Sequence, residues 1–180
     1  MESRRGKSSV GNRNYHATAL FFKIVVNWIN NRIIVVPIDM SDFSLKALDT
    51  AKELVVDAEQ IRVLHVLPTL EPAEPGIVWT SMDDGSRTQN SRSAVSAFLQ
   101  EHGYGKLNIT VRIGDSGTQI ALFAEDIGAG LIVMPSHSRG MLSRMLLGST
   151  TDRVVHQACC PVLVLKERKN REKQTSEKKS

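Results

Sequence analysis

The chain has 180 residues, 41% of them apolar, and a formal net charge of +4 at pH 7, which suits one domain with a sizeable core. The positive charge belongs to the ends: residues 1–31 and 166–180 each carry +4, whereas residues 32–165 carry −4. A basic face on the folded part is thereby excluded, and with it nucleic acid as the main partner.

Taken in chain order, residues 17–29 are apolar but interrupted by Lys23 and Asn27. The run is too short to span a bilayer, and no small-residue cleavage site follows it. Residues 1–31 therefore read as an amphipathic or partly disordered extension, with no membrane span. The next run, Arg32–Ile38 (RIIVVPI), is almost continuously apolar, as expected of a parallel strand buried on both faces. Asp39 ends it, and Ser41 or Asp42 can cap a helix in which Leu45, Leu48, Ala51 and Leu54 or Val55 recur at helical spacing. Ile61–Leu67 (IRVLHVL) reads as a second strand, with His65 a packed strand residue. Residues 68–91 contain three Pro and two Gly and read as a long loop before a helix around Ser93–Glu101, with Val95, Phe98 and Leu99 inward.

The third strand, Leu107–Ile113 (LNITVRI), alternates apolar and polar positions. Alternation means one wet face, so this strand is placed at a sheet edge. Ser116 can cap a helix carrying Ile120, Phe123 or Ala124, and Ile127. Leu131–Met134 is the fourth strand. A helix with Val154, Val155 and Ala158 inward precedes a fifth strand, Pro161–Leu165 (PVLVL). The two cysteines, Cys159 and Cys160, are sequence neighbours. They form no disulfide framework, read as packing residues and point to a reducing compartment, hence to the cytoplasm. The histidines show no metal-ligand spacing. The basic run 168–180 reads as a disordered tail.

Alternating strands and helices imply an α/β fold: a single doubly wound domain over residues 32–167, with a five-stranded parallel sheet and helices on both faces. An edge position for the third strand favours the order 3-2-1-4-5. Ligands of such sheets bind outside the carboxyl ends of the strands where the order reverses, here between strands one and four.

The connection after strand four is long for its kind and is built of hydroxyls, glycines and cations. Gly148 permits close backbone approach, and Ser149, Thr150 and Thr151 add hydroxyls at a helix N-terminus. Arg139 and Arg144 raise the local potential, and His137 could reach a phosphate. These residues suit an anion, although a structural loop whose hydroxyls only cap the helix remains the alternative. Neither a GxxxxGK[ST] motif nor a GxGxxG motif after strand one is present.

From Arg32 to Lys166 the chain resembles the universal stress proteins. IIVVPIDMSDFSLKAL is similar to that family's opening strand and helix, LHVLP to its second strand, and GMLSRMLLGSTTDRVVHQACCPVLV to its most characteristic stretch. The nucleotide-binding branch carries G-x2-G-x9-G-[ST], which falls here on Pro135, Ser138, Gly148 and Ser149; only the last two match. The resemblance implies ATP as the bound adenine nucleotide, with Mg2+ accompanying it. Pro37, Ile38, Asp39 and Val66 would line an adenosine pocket. Met134, Pro135, Ser136, His137 and Ser138, with Gly148, Ser149 and Thr150, would hold ribose and phosphates. It also implies a homodimer, in agreement with a fifth strand (Val162, Leu163, Val164, Leu165) that is apolar on both faces yet lies at an edge. No catalytic-nucleophile motif appears, so turnover beyond slow ATP hydrolysis is not expected. A nucleotide-free interaction protein working through a protein partner, and an adenylyl-transferring enzyme, are the alternatives.

Overall fold

The computed structural model describes residues 32–70, 83–136 and 148–166. Expectations for residues 1–31, for the tail from 167 onward and for His137, Ser138, Arg139 and Arg144 lie outside them. Five strands form one sheet: β1 (Ile34–Pro37), β2 (Ile61–Leu67), β3 (Asn108–Ile113), β4 (Leu131–Pro135) and β5 (Val162–Leu165). Every pairing is parallel and the order is β3-β2-β1-β4-β5. Among the described residues four α-helices, α1 (Asp42–Leu54), α2 (Asp84–Glu101), α3 (Ser116–Asp126) and α4 (Ser149–Gln157), follow strands one to four, and a short 3-10 turn at Ala58–Gln60 leads into β2.

Strand alternation divides the core in two. Ile34 and Val36 of β1 and Ile38 just after it, with Val63 of β2 and Val133 of β4, pack against Ala47, Leu48 and Ala51 of α1 and Val95 and Leu99 of α2. Val35, Leu64, Ile132 and Met134 point the other way, against Ile120, Phe123 and Ala124 of α3 and Val154 of α4. Each central strand thus feeds both layers, which is why β1 and β4 carry unbroken apolar runs. At the edges the demand relaxes, and no residue of β3 or β5 is fully buried.

Several local expectations are corrected. The helix expected around Ser93 begins at Asp84. Its first half is polar and solvated, so hydrophobic periodicity could not reveal it. Asp115, not Ser116, caps α3, its carboxylate accepting from the Thr118 amide at 2.9 Å. Val155 is 45% exposed: the short α4 spends its buried face on Thr151 and Val154, leaving Val155 outside. Gly128 terminates α3 in a left-handed conformation (φ 60°), with the Ala129 amide returning to the Ala124 carbonyl at 2.8 Å.

Candidate functional site

The strand order reverses at β1 and β4, which are hydrogen-bonded neighbours. Their following helices leave toward opposite faces, α1 with the first core layer and α4 with the second. A crevice at the carboxyl ends of these strands follows from that divergence. Its floor comes from the exits of the strands and its sides from the two helix N-termini.

On the β1 side, Pro37 and Ile38 are buried, whereas Asp39 is exposed. A carboxylate at the end of a buried strand needs partners, and this one finds them locally. Asp39 Oδ1 accepts from Ser41 Oγ at 2.5 Å, from the Ser41 amide at 3.2 Å and from Ser44 Oγ at 2.8 Å. The Asp39 amide in turn donates to Ser44 Oγ at 3.0 Å. Met40 adopts a left-handed backbone (φ 58°), uncommon for a residue with a Cβ, and this turn brings the two serines back to Asp39. Ser41 occupies the N-cap position without a side-chain cap bond, because its hydroxyl is given to Asp39. Ser44, only 1% exposed, was not among the expected site residues. Its signal was an aspartate at a strand end followed by serines two and five residues later.

The β2 exit joins this corner. The Ile38 amide donates to the Leu64 carbonyl at 2.9 Å, and His65 Nδ1 lies 2.8 Å from the Ile38 carbonyl oxygen. A carbonyl only accepts, so Nδ1 carries the proton and His65 is the donor. His65 is therefore more than a packed strand residue. Val66, one step on, points to the opposite layer and packs with the α3–α4 cluster.

On the β4 side, few backbone donors are left for a ligand between residues 134 and 136. Met134 is buried, Pro135 has no N–H, and the Ser136 amide donates to the Leu165 carbonyl at 2.9 Å. Gly148 is the N-cap of α4 and provides no side-chain cap. The first-turn N–H groups of an α-helix lack intrahelical partners. Ser149 is exposed and Thr150 half-buried at this turn. Thr151 is almost fully buried, and its hydroxyl donates to the Pro135 carbonyl at 3.4 Å. It thereby ties the start of α4 to the end of β4. Expected as a further hydroxyl for the anion, Thr151 serves instead to position the helix.

Pro37, Ile38 and Asp39 thus lie at the exit of β1, and Gly148, Ser149 and Thr150 open the helix that follows the neighbouring strand β4. Among the described residues no group of three His, Cys, Asp or Glu side chains could hold a metal. No described helix is long and apolar enough to cross a membrane.

Residues 30–166 match the model of the universal stress protein family. Universal stress protein MJ0531 of Methanocaldococcus jannaschii is 36% identical over 141 residues, covering 76% of this chain and 82% of that protein. The solved structure of MJ0577 from the same organism superposes with a TM-score of 0.57 at 24% identity, covering 77% of this chain and 98% of the other. A universal stress protein solved in complex with cAMP superposes with a TM-score of 0.51 at 18% identity, covering 76% and 98%. At these identities the two structures show a shared fold.

Proposed function

The chain belongs to the universal stress protein family, and from that premise we propose that it is an adenine-nucleotide-binding module of a stress or signalling response, with ATP as its ligand. The reading is carried by one juxtaposition: the serine-held Asp39 and the N-terminus of α4 follow two adjacent strands whose helices diverge. Asp39 Oδ1 is held in a fixed position and suits a purine amine or a ribose hydroxyl. The Gly148–Thr150 turn suits phosphate, since helix N–H groups and the dipole both favour negative charge there. Mg2+ would be bound through the phosphates. The relative solved with cAMP supports an adenine nucleotide as the class of ligand.

Calorimetry on nucleotide-free protein with ATP, ADP and AMP tests the reading. A charge-assisted hydrogen bond contributes about 1.5–3 kcal/mol, so Ser149→Ala should weaken ATP by roughly tenfold or more. Gly148→Val should abolish binding by blocking the backbone approach. No heat and no thermal shift at millimolar nucleotide would refute it. That result would favour a second reading, a nucleotide-free interaction protein, whose supporting observation is the shortage of backbone donors from Met134 to Ser136.

The same module is proposed to act as a cytoplasmic homodimer joined through β5. Among the described strands β5 pairs on one side only, with β4. Leu163 stands 37% exposed in a strand made wholly of Val and Leu. An apolar edge of that kind recruits another chain, and a two-fold axis would close it.

A further inference from the structure

We propose that Lys166 and the basic run after it, Arg168, Lys169 and Arg171, form a phosphate-contacting arm of the nucleotide site that makes it select ATP over AMP. The proposal rests on the adenine-nucleotide reading above and adds the residues that neutralise the phosphate chain. The exits of β1 and β4 do not supply that charge. Residues 37–42, 134–136 and 148–152 contain three Asp and no Lys or Arg. Arg153, next along α4, is turned to Asp115 at the start of α3. Backbone donors are short as well, since Pro135 has no N–H and the Ser136 amide is given to the Leu165 carbonyl. Arg139 and Arg144 lie outside the described residues.

The chain leaves β5 beside the start of α4. Pro135 and Leu165 are register partners, and the Ser136 amide reaches the Leu165 carbonyl at 2.9 Å. Lys166 therefore emerges level with the exit of β4, one strand spacing of about 4.8 Å away. The Thr151 hydroxyl donates to the Pro135 carbonyl, which seats the first turn of α4 at the same level. Alternation along β5 selects the face. Leu165 packs with the α1–α2 layer and Val162 with the α3–α4 layer. Continued by one residue, that alternation places position 166 on the side of α4. Lys166 is exposed there, and its flexible stem carries a point charge suited to phosphate. Residues 166–180 hold seven Lys/Arg against three Glu, whereas residues 32–165 carry −4. A cation-rich segment thus begins next to the helix N-terminus that favours an anion.

Calorimetry with ATP and AMP on the full-length chain is the test. Exposed ion pairs contribute little each, so Lys166→Gln alone should weaken ATP by about 2–5-fold. Lys166→Gln, Arg168→Gln, Lys169→Gln and Arg171→Gln together should weaken it by roughly 10-fold at ~20 mM salt. AMP, with a single phosphate, should lose less than about 3-fold. At ~500 mM salt the gap for ATP should close to within about 2-fold, because salt screens exposed charges. A control removes four cations from the other end of the chain, by Arg4→Gln, Arg5→Gln, Lys7→Gln and Arg13→Gln together. Net charge changes equally, but residues 1–31 precede the amino end of β1, opposite the strand exits. This variant should bind ATP within about 2-fold of the parent. A parent that takes up no ATP sinks the nucleotide reading and the arm with it. A parent that binds ATP, beside a Lys166–Arg171 variant that binds it equally well at low salt, sinks the arm alone. So does an equal loss for AMP, or an equal loss from the N-terminal set, which would reduce the effect to net charge.

Discussion

His65 Nδ1 donates to the carbonyl oxygen of Ile38 across 2.8 Å, so a side chain of β2 fixes the residue at which β1 leaves the sheet. The next residue is Asp39, whose carboxylate is held by Ser41 and Ser44. The β1 wall of the crevice is thus braced from two directions, by a neighbouring strand and by the helix that follows.

Removing the brace has a predictable effect. His65→Leu leaves the Ile38 carbonyl without this donor, at a cost of about 1 kcal/mol, or ~2–5 °C in thermal midpoint for a domain of this size. Nucleotide affinity should fall several-fold as Asp39 loses its fixed position. A loss of stability with unchanged affinity in calorimetry would show that His65 supports the sheet only.

Asp115 links charge to pH. Its carboxylate accepts from the Thr118 amide and pairs with Arg153. The backbone hydrogen bond first, and Arg153 second, hold it below the usual carboxylate range. A carboxyl group lowered in the folded state contributes stability that is complete above the unfolded value of about 3.9 and is lost as pH falls through the folded value. Asp115→Ala should therefore cost about 1 kcal/mol at pH 7, and the gap should close as the pH drops below about 4. Denaturant unfolding at pH 7, 5 and 3 measures this; a gap independent of pH would refute it.

Gly117 marks the contact of α3 with α4. In most helix interiors Gly→Ala stabilises by up to about 1 kcal/mol. Here a Cβ would sit 2.7 Å from Arg153 Cβ and 3.0 Å from its Cγ and Cδ. The nearest of these atoms lies at the root of the side chain and cannot swing aside. Gly117→Ala should destabilise by ~1–3 kcal/mol, and adding Arg153→Ala should recover only part, because its Cβ remains. A more stable Gly117→Ala protein would show that the two helices are free to separate.

The β5 edge can be tested by sedimentation. Val164→Lys places a charge in the edge strand and should shift a dimer toward monomer at micromolar concentration. The thermal midpoint should then become independent of protein concentration, as expected once assembly no longer stabilises the fold. A parent chain that sediments as a monomer would remove the dimer from the proposed function.

Strand count, direction and order were legible in the sequence because buried parallel strands demand continuous apolar runs and an edge strand tolerates alternation. Val35–Val36 and Ile132–Val133 show the first pattern, and Asn108–Ile113 the second. The reversal of that order set the switch point between strands one and four, and the motifs of the resemblance over Arg32–Lys166 fall at the exits of those strands. The polar first half of α2 was not legible, as no apolar stripe marks Asp84–Arg92. Nor were the partners of the site residues. Whether Asp39 is held by Ser44, whether His65 reaches Ile38, and whether Thr151 serves a ligand or Pro135 all depend on where hydroxyls and ring nitrogens fall once strands and helices are packed. Apolar burial follows a period that one chain segment carries by itself, and so it can be read along the sequence. A hydrogen bond requires two groups within about 3 Å and in line; for partners on different elements, only the packed fold sets that distance.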